Sequence, residues 1–344
     1  MGPRGVRLEQ QKKASLKNEI ESLPAPGDLP ELKSFAPLKK DAGASGILSA
    51  ASRAEIVDEL DGAPLESKLR RFAARGAGLL LACAFDEDPY VSGASAVLRE
   101  SASKAAFGLS LAARACGAEK TAVAVLSRGE AARLSKAVPG TASVVAGKRY
   151  PAKDILARRL RREGKKPEWI GVQACVALAE AVRRGRPQRE TIVTVAGDGV
   201  RRWRNFRVKI GTPVGDVLRV AEPEENIPLV VIGSSVTGRT VRDLSLPVTA
   251  ATRCVIALRR PPAERSFPCI GCGRCARACT EGILPWLALL QMESGAPDPA
   301  RLFHVGACTG CGACGAVCPS GIDLEAAVRR AAAFKEGGDA DGTA

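Results

Sequence analysis

Eight of the twelve cysteines in this 344-residue chain form two motifs with identical spacing. Each motif reads Cys-x2-Cys-x2-Cys-x3-Cys, once in "CIGCGRCARAC" and once in "CTGCGACGAVC". Thiolates are soft ligands, and a [4Fe–4S] cube takes one thiolate at each of its four iron corners. Three cysteines in such a loop can hold one cube, and in two-cluster ferredoxins the fourth cysteine ligates the other cube. The spacing therefore predicts two [4Fe–4S] clusters with crossed ligands: Cys269, Cys272, Cys275 and Cys318 for the first, and Cys308, Cys311, Cys314 and Cys279 for the second.

Two other uses of dense cysteine fit the sequence less well. Structural zinc sites also take four cysteines, but they pair two knuckles and need no third cysteine in register. Disulfides belong to oxidising compartments, and the charged start "MGPRGVRLEQQKK" predicts no secretory signal. The second motif is followed by a proline, whereas Thr280 stands at the equivalent position after the first motif. This difference leaves the ligands unchanged. The other four cysteines lie in apolar runs and are predicted to be inert buried thiols: Cys83, Cys116, Cys175 and Cys254.

The chain is strongly basic, with a formal net charge of +14. The excess is concentrated in residues 147–167, 183–189 and 201–209. Such runs form either a solvated face or a docking surface for an acidic redox partner, an anionic membrane or nucleic acid. An aromatic content of 4% argues against a base-stacking platform. No apolar run is long enough for a membrane span, which predicts a cytoplasmic protein.

The order of periodic segments predicts the elements that carry these motifs. Residues 46–187 alternate strand-like and helix-like runs, which is typical of a layered α/β domain with a mostly parallel sheet. Residues 188–260 are β-rich around one short helix. The long, helical gap between the cysteine motifs indicates an α-helical type of ferredoxin. The predicted domains are an extended arm (1–45), the α/β domain (46–187), the β-rich module (188–260), a 2[4Fe–4S] ferredoxin domain (261–337) and a disordered tail (338–344).

Four segments in this order resemble the C subunit of the Rnf-type electron transport complex: 83–93, 190–218, 246–258 and 268–285. "KIGTPVGDVL" followed by "PCIGCGRCARAC" is the most specific part, and cobalamin reductases of metabolic microcompartments share much of this plan. The resemblance implies an α/β domain similar to the flavin- and NADH-binding subunit of respiratory complex I. It also implies a β-grasp module of the soluble-ligand-binding (SLBB) type, two [4Fe–4S] clusters, and electron transfer between NADH, flavin and a membrane-bound partner.

The chain departs from this family at the flavin site. Residues 61–68, "DGAPLESK", stand where the family has a glycine-rich "GGAAFPT" loop, and Cys83 and Ala84 replace the Asn and Gly of "NGAECEPY". The acidic residues 86–88 either line a pocket or form a solvated loop. The family's N-terminal biotinyl-like barrel is expected to be missing, because there is no room for it between residues 40 and 50. The resemblance thus implies FMN, whereas these departures predict that FMN binds weakly or not at all.

These observations predict an iron–sulfur electron-transfer subunit, at the cytoplasmic face of a membrane-associated redox complex. The expected partners are the other subunits of that complex and an acidic ferredoxin or flavodoxin. An electron carrier is favoured over an autonomous enzyme. The alternatives are a flavin-dependent NADH dehydrogenase subunit and an iron–sulfur nucleic-acid-binding protein.

Overall fold

The computed structural model describes residues 19–23, 33–38, 42–225, 227–259, 266–295, 298, 302 and 304–338. Parts of the predicted arm, of the predicted ferredoxin domain and of the tail lie outside these residues. The helices are α1 (Ala44–Arg53), α2 (Leu65–Arg75), α3 (Gly93–Cys116), α4 (Arg128–Ala137), α5 (Ala152–Arg162), α6 (Val172–Arg184), α7 (Val214–Val220), α8 (Arg274–Ala278), α9 (Pro285–Glu293), α10 (Ala313–Ala316) and α11 (Leu324–Gly338). The strands are β1 (Ile20–Ser22), β2 (Leu79–Cys83), β3 (Lys120–Val125), β4 (Ser143–Val145), β5 (Pro167–Gly171), β6 (Glu190–Ala196), β7 (Arg204–Lys209), β8 (Leu229–Ile232), β9 (Arg239–Val241) and β10 (Cys254–Leu258).

The first sheet is parallel throughout, with strand order β4-β3-β2-β5. The apolar run of β2 is buried on both faces, as expected for a central strand of a parallel sheet. Because side chains alternate along a strand, Leu80 and Ala82 pack on one face and Leu81 and Cys83 on the other. Helices α1, α2, α3 and α6 contribute to the core on the first face, and α5 covers the second.

The direction of the chain reverses at the middle of this sheet. From β2 the chain proceeds outward to β3 and β4, and then returns to β5 on the other side of β2. The switch point therefore lies between β2 and β5, where the N-termini of α3 and α6 follow the two strands. In open α/β sheets, ligands bind at the carboxyl edge of such a switch point.

Two elements of this region were not predicted. Helix α2 begins within the segment aligned with the family's flavin loop, and β5 contains Pro167, Glu168 and Gly171, which are poor strand formers. A helix-like sequence pattern runs from Ile47 to Leu60, but α1 ends at Arg53, and Glu55 has a φ of 51°.

The second sheet has strand order β1-β7-β6-β10-β8-β9 and is mixed. Its core contains Val193, Phe206 and Val255 from the strands and Val217 from α7. Strand β1 of the predicted arm pairs in parallel with β7 and so lies at one edge of this sheet.

The cysteine motifs lie in a small helical unit beyond residue 266. Its apolar contacts form two small clusters, one around Ile283, Leu302 and Val328 and one around Leu289 and Leu324. Asp323 caps α11 by accepting a hydrogen bond from the Ala326 N–H at 3.1 Å. Within the described ranges, no helix has both the length and the apolar character needed to cross a membrane.

Candidate iron–sulfur centres

The structure brings the eight motif cysteines together around two separate small cavities. The downstream cavity is lined by Cys308, Cys311 and Cys314 of the second motif and by Cys279 of the first. The upstream cavity is lined by Cys269, Cys272 and Cys275 of the first motif and by Cys318 of the second. Each cavity thus takes its fourth cysteine from the other motif.

The two motifs reach this arrangement by the same local route. In each, a glycine in the left-handed region precedes a short helix: Gly273 (φ 67°) before α8 and Gly312 (φ 71°) before α10. A side chain at either glycine would be strained. Helix α8 ends at Ala278, and the extended backbone of the next residue, Cys279, places this thiol at the second loop.

The four downstream cysteines are half-buried, whereas the upstream set ranges from exposed thiols to Cys275, whose pKa is also raised by burial. Burial raises the pKa of Cys314 to about 12 and also raises the pKa of Cys308 and Cys311. Cys269 and Cys272 are exposed, and only Cys275 of the first motif is buried. Among the described residues, no group of three His, Cys, Asp or Glu side chains forms a single-ion site. The thiols surround cavities and do not converge on one point.

Residues from both sheet domains hold the downstream loop. The Tyr150 hydroxyl donates a hydrogen bond to the Cys311 carbonyl oxygen, and Thr309 Oγ1 donates to Asp154 Oδ2 at 2.9 Å. The turn between β8 and β9 covers Gly312, where a Cβ would lie 2.9 Å from Thr237 Cγ2. No local sequence signal marks these contacts, because each joins positions far apart in the chain.

At the carboxyl edge of the first sheet, buried carboxylates occupy the helix N-termini. Glu59 accepts hydrogen bonds from the N–H groups of Gln173 and Ala174, at 2.7 and 3.0 Å, in the first turn of α6. Its carboxylate fills the space beside Gly171, where a Cβ would lie 2.0 Å from Glu59 Cδ. Asp58 accepts from the Gly171 N–H at 3.0 Å and pairs with Lys68 Nζ at 2.6 Å. No pattern in the sequence predicted a role for Glu59.

The acidic residues 86–88 do not form a solvated loop: each binds another element, and Asp86 and Glu87 also border cavities. Asp86 accepts from the Ala94 N–H at 2.8 Å and so caps α3, while Glu87 accepts from the Lys153 N–H at 3.0 Å and caps α5. Asp88 accepts from Ser234 Oγ at 2.9 Å and binds the turn after β8. Asp86 and Asp88 are buried, and Glu87 borders a larger cleft. Each of the three carboxylates thus joins its own loop to another element by hydrogen bonds.

The basic run 201–209 is already neutralised within the molecule. Arg201 pairs with Glu224 at 3.0 Å, and Arg202 pairs with Glu21 of β1 at 2.8 Å. Arg204 and Arg207 likewise contact glutamates. These ion pairs favour a role for the arginines of this run within the molecule over the docking of a partner. Arg161 of α5 pairs with Glu281 at 3.6 Å, whereas Arg158 and Arg162 form no ion pair with the described residues. The four remaining cysteines are buried, as predicted.

Comparison with known proteins identifies the region around the cavities. The family described as the 4Fe-4S dicluster domain matches residues 268–322. The C subunit of the ion-translocating oxidoreductase complex of Rhodobacter capsulatus is 30% identical over 234 residues, which are 60% of this chain and 44% of that protein. Its counterpart from Yersinia pestis is 30% identical over 244 residues, which are 65% of this chain and 39% of the relative. The chain thus spans less than half the length of these relatives.

Solved structures show the same fold at lower sequence identity. A chain of NAD+-reducing [NiFe]-hydrogenase in the H2-reduced state matches with a TM-score of 0.54 and 17% identity, covering 85% of this chain and 60% of that one. The air-oxidised state matches with a TM-score of 0.51 and 20% identity, covering 78% of this chain and 51% of that one. The predicted mixed α/β fold class is confirmed. The chain is thus related in sequence to the C subunits of ion-translocating oxidoreductase complexes, as its segment order predicted, and it contains a 4Fe-4S dicluster segment.

Proposed function

We propose that this chain is an iron–sulfur electron-transfer subunit that relays electrons through two [4Fe–4S] clusters. It acts in a membrane-associated redox complex, at the cytoplasmic face. The observation that carries this proposal is the crossed arrangement of eight cysteines around two cavities. Residues 261–337 form the relay domain, while the domains at 46–187 and 188–260 hold it and present it to partners.

The residues at each cavity fit a cubane. Four cysteines border each space, and thiolate is the ligand type that iron–sulfur clusters require. When bound, such clusters supply one-electron redox chemistry. The chain holds Cys279, Cys308, Cys311 and Cys314 around the downstream cluster and the other four motif cysteines around the upstream one. Tyr150 and Asp154 orient the loop that presents Cys311.

Metal analysis of anaerobically purified protein tests this assignment. We expect about eight irons and eight acid-labile sulfides per chain, because each cubane contains four of each. One zinc per four cysteines without sulfide would contradict the proposal. Comparing Cys279→Ala with Cys318→Ala tests the crossing: the first should disturb the electron paramagnetic resonance signal of the downstream cluster, and the second that of the upstream cluster. If each substitution damages only the cluster of its own motif, ligation is local.

The residues at the switch point do not fit a flavin phosphate. A phosphate at such an edge is bound by free N–H groups at helix N-termini. Here Glu59 already accepts hydrogen bonds from N–H groups in the first turn of α6. Asp86 likewise accepts the hydrogen bond of the Ala94 N–H in α3. The stretch 61–68 adds Asp61, which pairs with Lys68 at 2.8 Å and removes that cation as a phosphate partner. We therefore propose a relay that binds no FMN at this edge.

The rival function is a flavin-dependent NADH dehydrogenase subunit, and the likeness to NAD+-reducing hydrogenase favours it as the second candidate. Flavin per chain after anaerobic isolation separates the two. We expect substoichiometric flavin, no tight binding on titration with FMN, and no reduction of the clusters by NADH alone. Stoichiometric flavin with NADH-driven cluster reduction would make the dehydrogenase the better assignment.

The partners follow from the charge of the surface beside the downstream cavity. We propose that the chain exchanges electrons with an acidic ferredoxin or flavodoxin as well as with other members of its own complex. Opposite charges accelerate such encounters, and the effect weakens as salt screens them.

A further inference from the structure

A cleft of about 1070 Å³ lies where the two sheet domains meet the dicluster unit. One wall is formed by α5 and the loop before it, and the opposite wall by residues 277–280 and 313–317. Tyr90, Ile256 and Leu258 contribute apolar surface. The cleft is thus a concave surface with an apolar floor, bordered by a segment of each cysteine motif.

The rim of this cleft is strongly cationic. Six basic residues border it, and the acidic residues on it are Glu87 and Glu163. Glu163 pairs with Lys165 at 2.6 Å, and Glu87 accepts the Lys153 N–H. Within the described part of the chain, no ion pair is formed by any of the six cations: Lys148, Arg149, Arg158, Arg159, Arg162 and Arg277. This surface differs from the run 201–209, whose arginines are neutralised internally.

The cleft adjoins one of the two cysteine cavities. Cys279, Thr280 and Ala313 border both the cleft and the downstream cavity. Among the residues that the structure describes, none borders both the cleft and the upstream cavity. An object in the cleft would therefore be separated from the downstream centre by one layer of residues.

We propose that this cleft is the docking site of an acidic electron-transfer protein, which exchanges one electron with the downstream centre. The inference rests on the proposed electron relay and adds the site where the relay exchanges electrons with a partner protein. A carboxylate-bearing loop of the partner faces the six cations, and apolar side chains at its tip contact the floor. The partner is oxidised by one electron and the downstream centre is reduced by one, or the reverse, and no bond is formed or broken.

Charge reversal on α5 tests the site in the anaerobic holoprotein. The variant Arg158→Glu with Arg162→Glu changes two cleft residues one helical turn apart. The control, Arg133→Glu with Lys136→Glu, makes the same change in charge on exposed positions of α4 outside the cleft. Stopped-flow mixing with reduced flavodoxin, an acidic probe, measures the second-order rate constant of cluster reduction at low and high salt.

We expect the cleft variant to react at least about tenfold more slowly at low salt, and the control less than about twofold more slowly. At high salt the differences should shrink, because surface charges are screened. Equal slowing in both variants would assign the effect to net charge and overturn the docking site. An unchanged rate in the cleft variant would also overturn the docking site. Competitive inhibition of the reaction with flavodoxin by millimolar NADH or FMN would overturn it too, and would assign the cleft to a nucleotide.

The extent of reduction by reduced methyl viologen separates this inference from the relay itself. If viologen reduces two clusters in every variant, a negative result with flavodoxin concerns only the cleft and overturns the docking site. If viologen finds no reducible cluster in the wild-type protein, the proposed relay fails.

Discussion

At the scale of single residues, Glu59 differs from the surface carboxylates because it is buried beside a second acid. Burial and the charge of Asp58 raise the pKa of Glu59 to about 8, and the N–H groups of Gln173 and Ala174 oppose that shift. Asp58 itself is compensated by Lys68. The cap of α6 is therefore coupled to proton binding.

We expect the free energy of unfolding to fall as the pH rises from about 5 to about 8. Glu59 keeps its proton in the folded chain until about pH 8, whereas the ordinary value is 4.5. The folded state therefore binds more protons in this window, and the stability present below pH 4.5 is lost as the pH rises through about 8. One proton gives a slope of at most about 1.4 kcal/mol per pH unit. Urea unfolding of the anaerobic protein at several pH values measures the slope.

Two substitutions assign that slope to its source. Glu59→Gln cannot titrate and should flatten the dependence on pH. Glu130→Gln is the matched control, because Glu130 also accepts two backbone N–H groups, at the partly exposed start of α4. An undiminished slope in Glu59→Gln would place the titrating group elsewhere.

At the scale of elements, α3 and α6 approach each other closely enough for their backbones to touch. A Cβ added to Gly108 of α3 would lie 1.8 Å from the Cys175 carbonyl oxygen of α6. Helix α6 in turn places the amides that Glu59 caps.

We expect Gly108→Ala to reduce the free energy of unfolding by at least about 2 kcal/mol, because two helix backbones must separate. Gly129→Ala in α4 is the control: its nearest non-neighbour atom would be Ser127 Oγ at 4.0 Å. Alanine should stabilise that helix by up to about 1 kcal/mol. Denaturant unfolding compares the two variants, and equal stabilities would show that α3 and α6 can move apart freely.

The attachment of β1 is a second element-scale feature. Glu21 contacts both Arg202 and Arg204, at 2.8 and 3.4 Å, while the backbone of β1 pairs with β7. The arginines thus fasten an edge strand.

We expect Arg202→Ala with Arg204→Ala to accelerate amide hydrogen exchange in residues 20–22 by up to about tenfold, since exposed ion pairs contribute about 1 kcal/mol or less. Arg219→Ala, which removes an exposed pair within α7, should leave that exchange unchanged. Electron transfer from flavodoxin should be close to wild type in both. A large loss of electron transfer in the double variant would show that residues 201–209 belong to the docking surface.

At the scale of the whole molecule, the three units differ in how they are stabilised. Both sheets have cores of many buried side chains, whereas the dicluster unit has two small apolar clusters. Units with so little buried apolar surface usually depend on metals or disulfides.

We expect removal of iron by a chelator under reducing conditions to abolish hydrogen-exchange protection in residues 266–338. Residues 44–258 should keep theirs, because their cores contain no cluster. Reconstitution with iron and sulfide should restore the protection. Equal loss in all three units would show that the clusters stabilise the whole chain.

Local patterns in the sequence were sufficient for the cysteine motifs, the central strands and the long helices. The spacing of the cysteines and the apolar run of β2 are patterns formed by residues that are close together in the sequence. The caps made by Glu59 and Asp86, the loop contacts of Tyr150 and the pairing of Arg202 were not predictable in this way. Glu59 and its N–H donors, for example, are 114 and 115 residues apart. The altered flavin loop was visible in the sequence, but the carboxylates that fill the edge were found only in three dimensions.

The exchange of Cys279 and Cys318 between the two cavities has a consequence for biosynthesis. The upstream cavity is complete only when the chain through Cys318 has left the ribosome, and by then every cysteine of the downstream cavity has also been made. If the ligands cross as proposed, neither cluster can be finished on a chain that ends between the motifs. A messenger truncated there would yield three neighbouring thiols and a fourth without partners, all open to oxidation. Assembly factors would thus meet both sites at once, after translation of the dicluster unit.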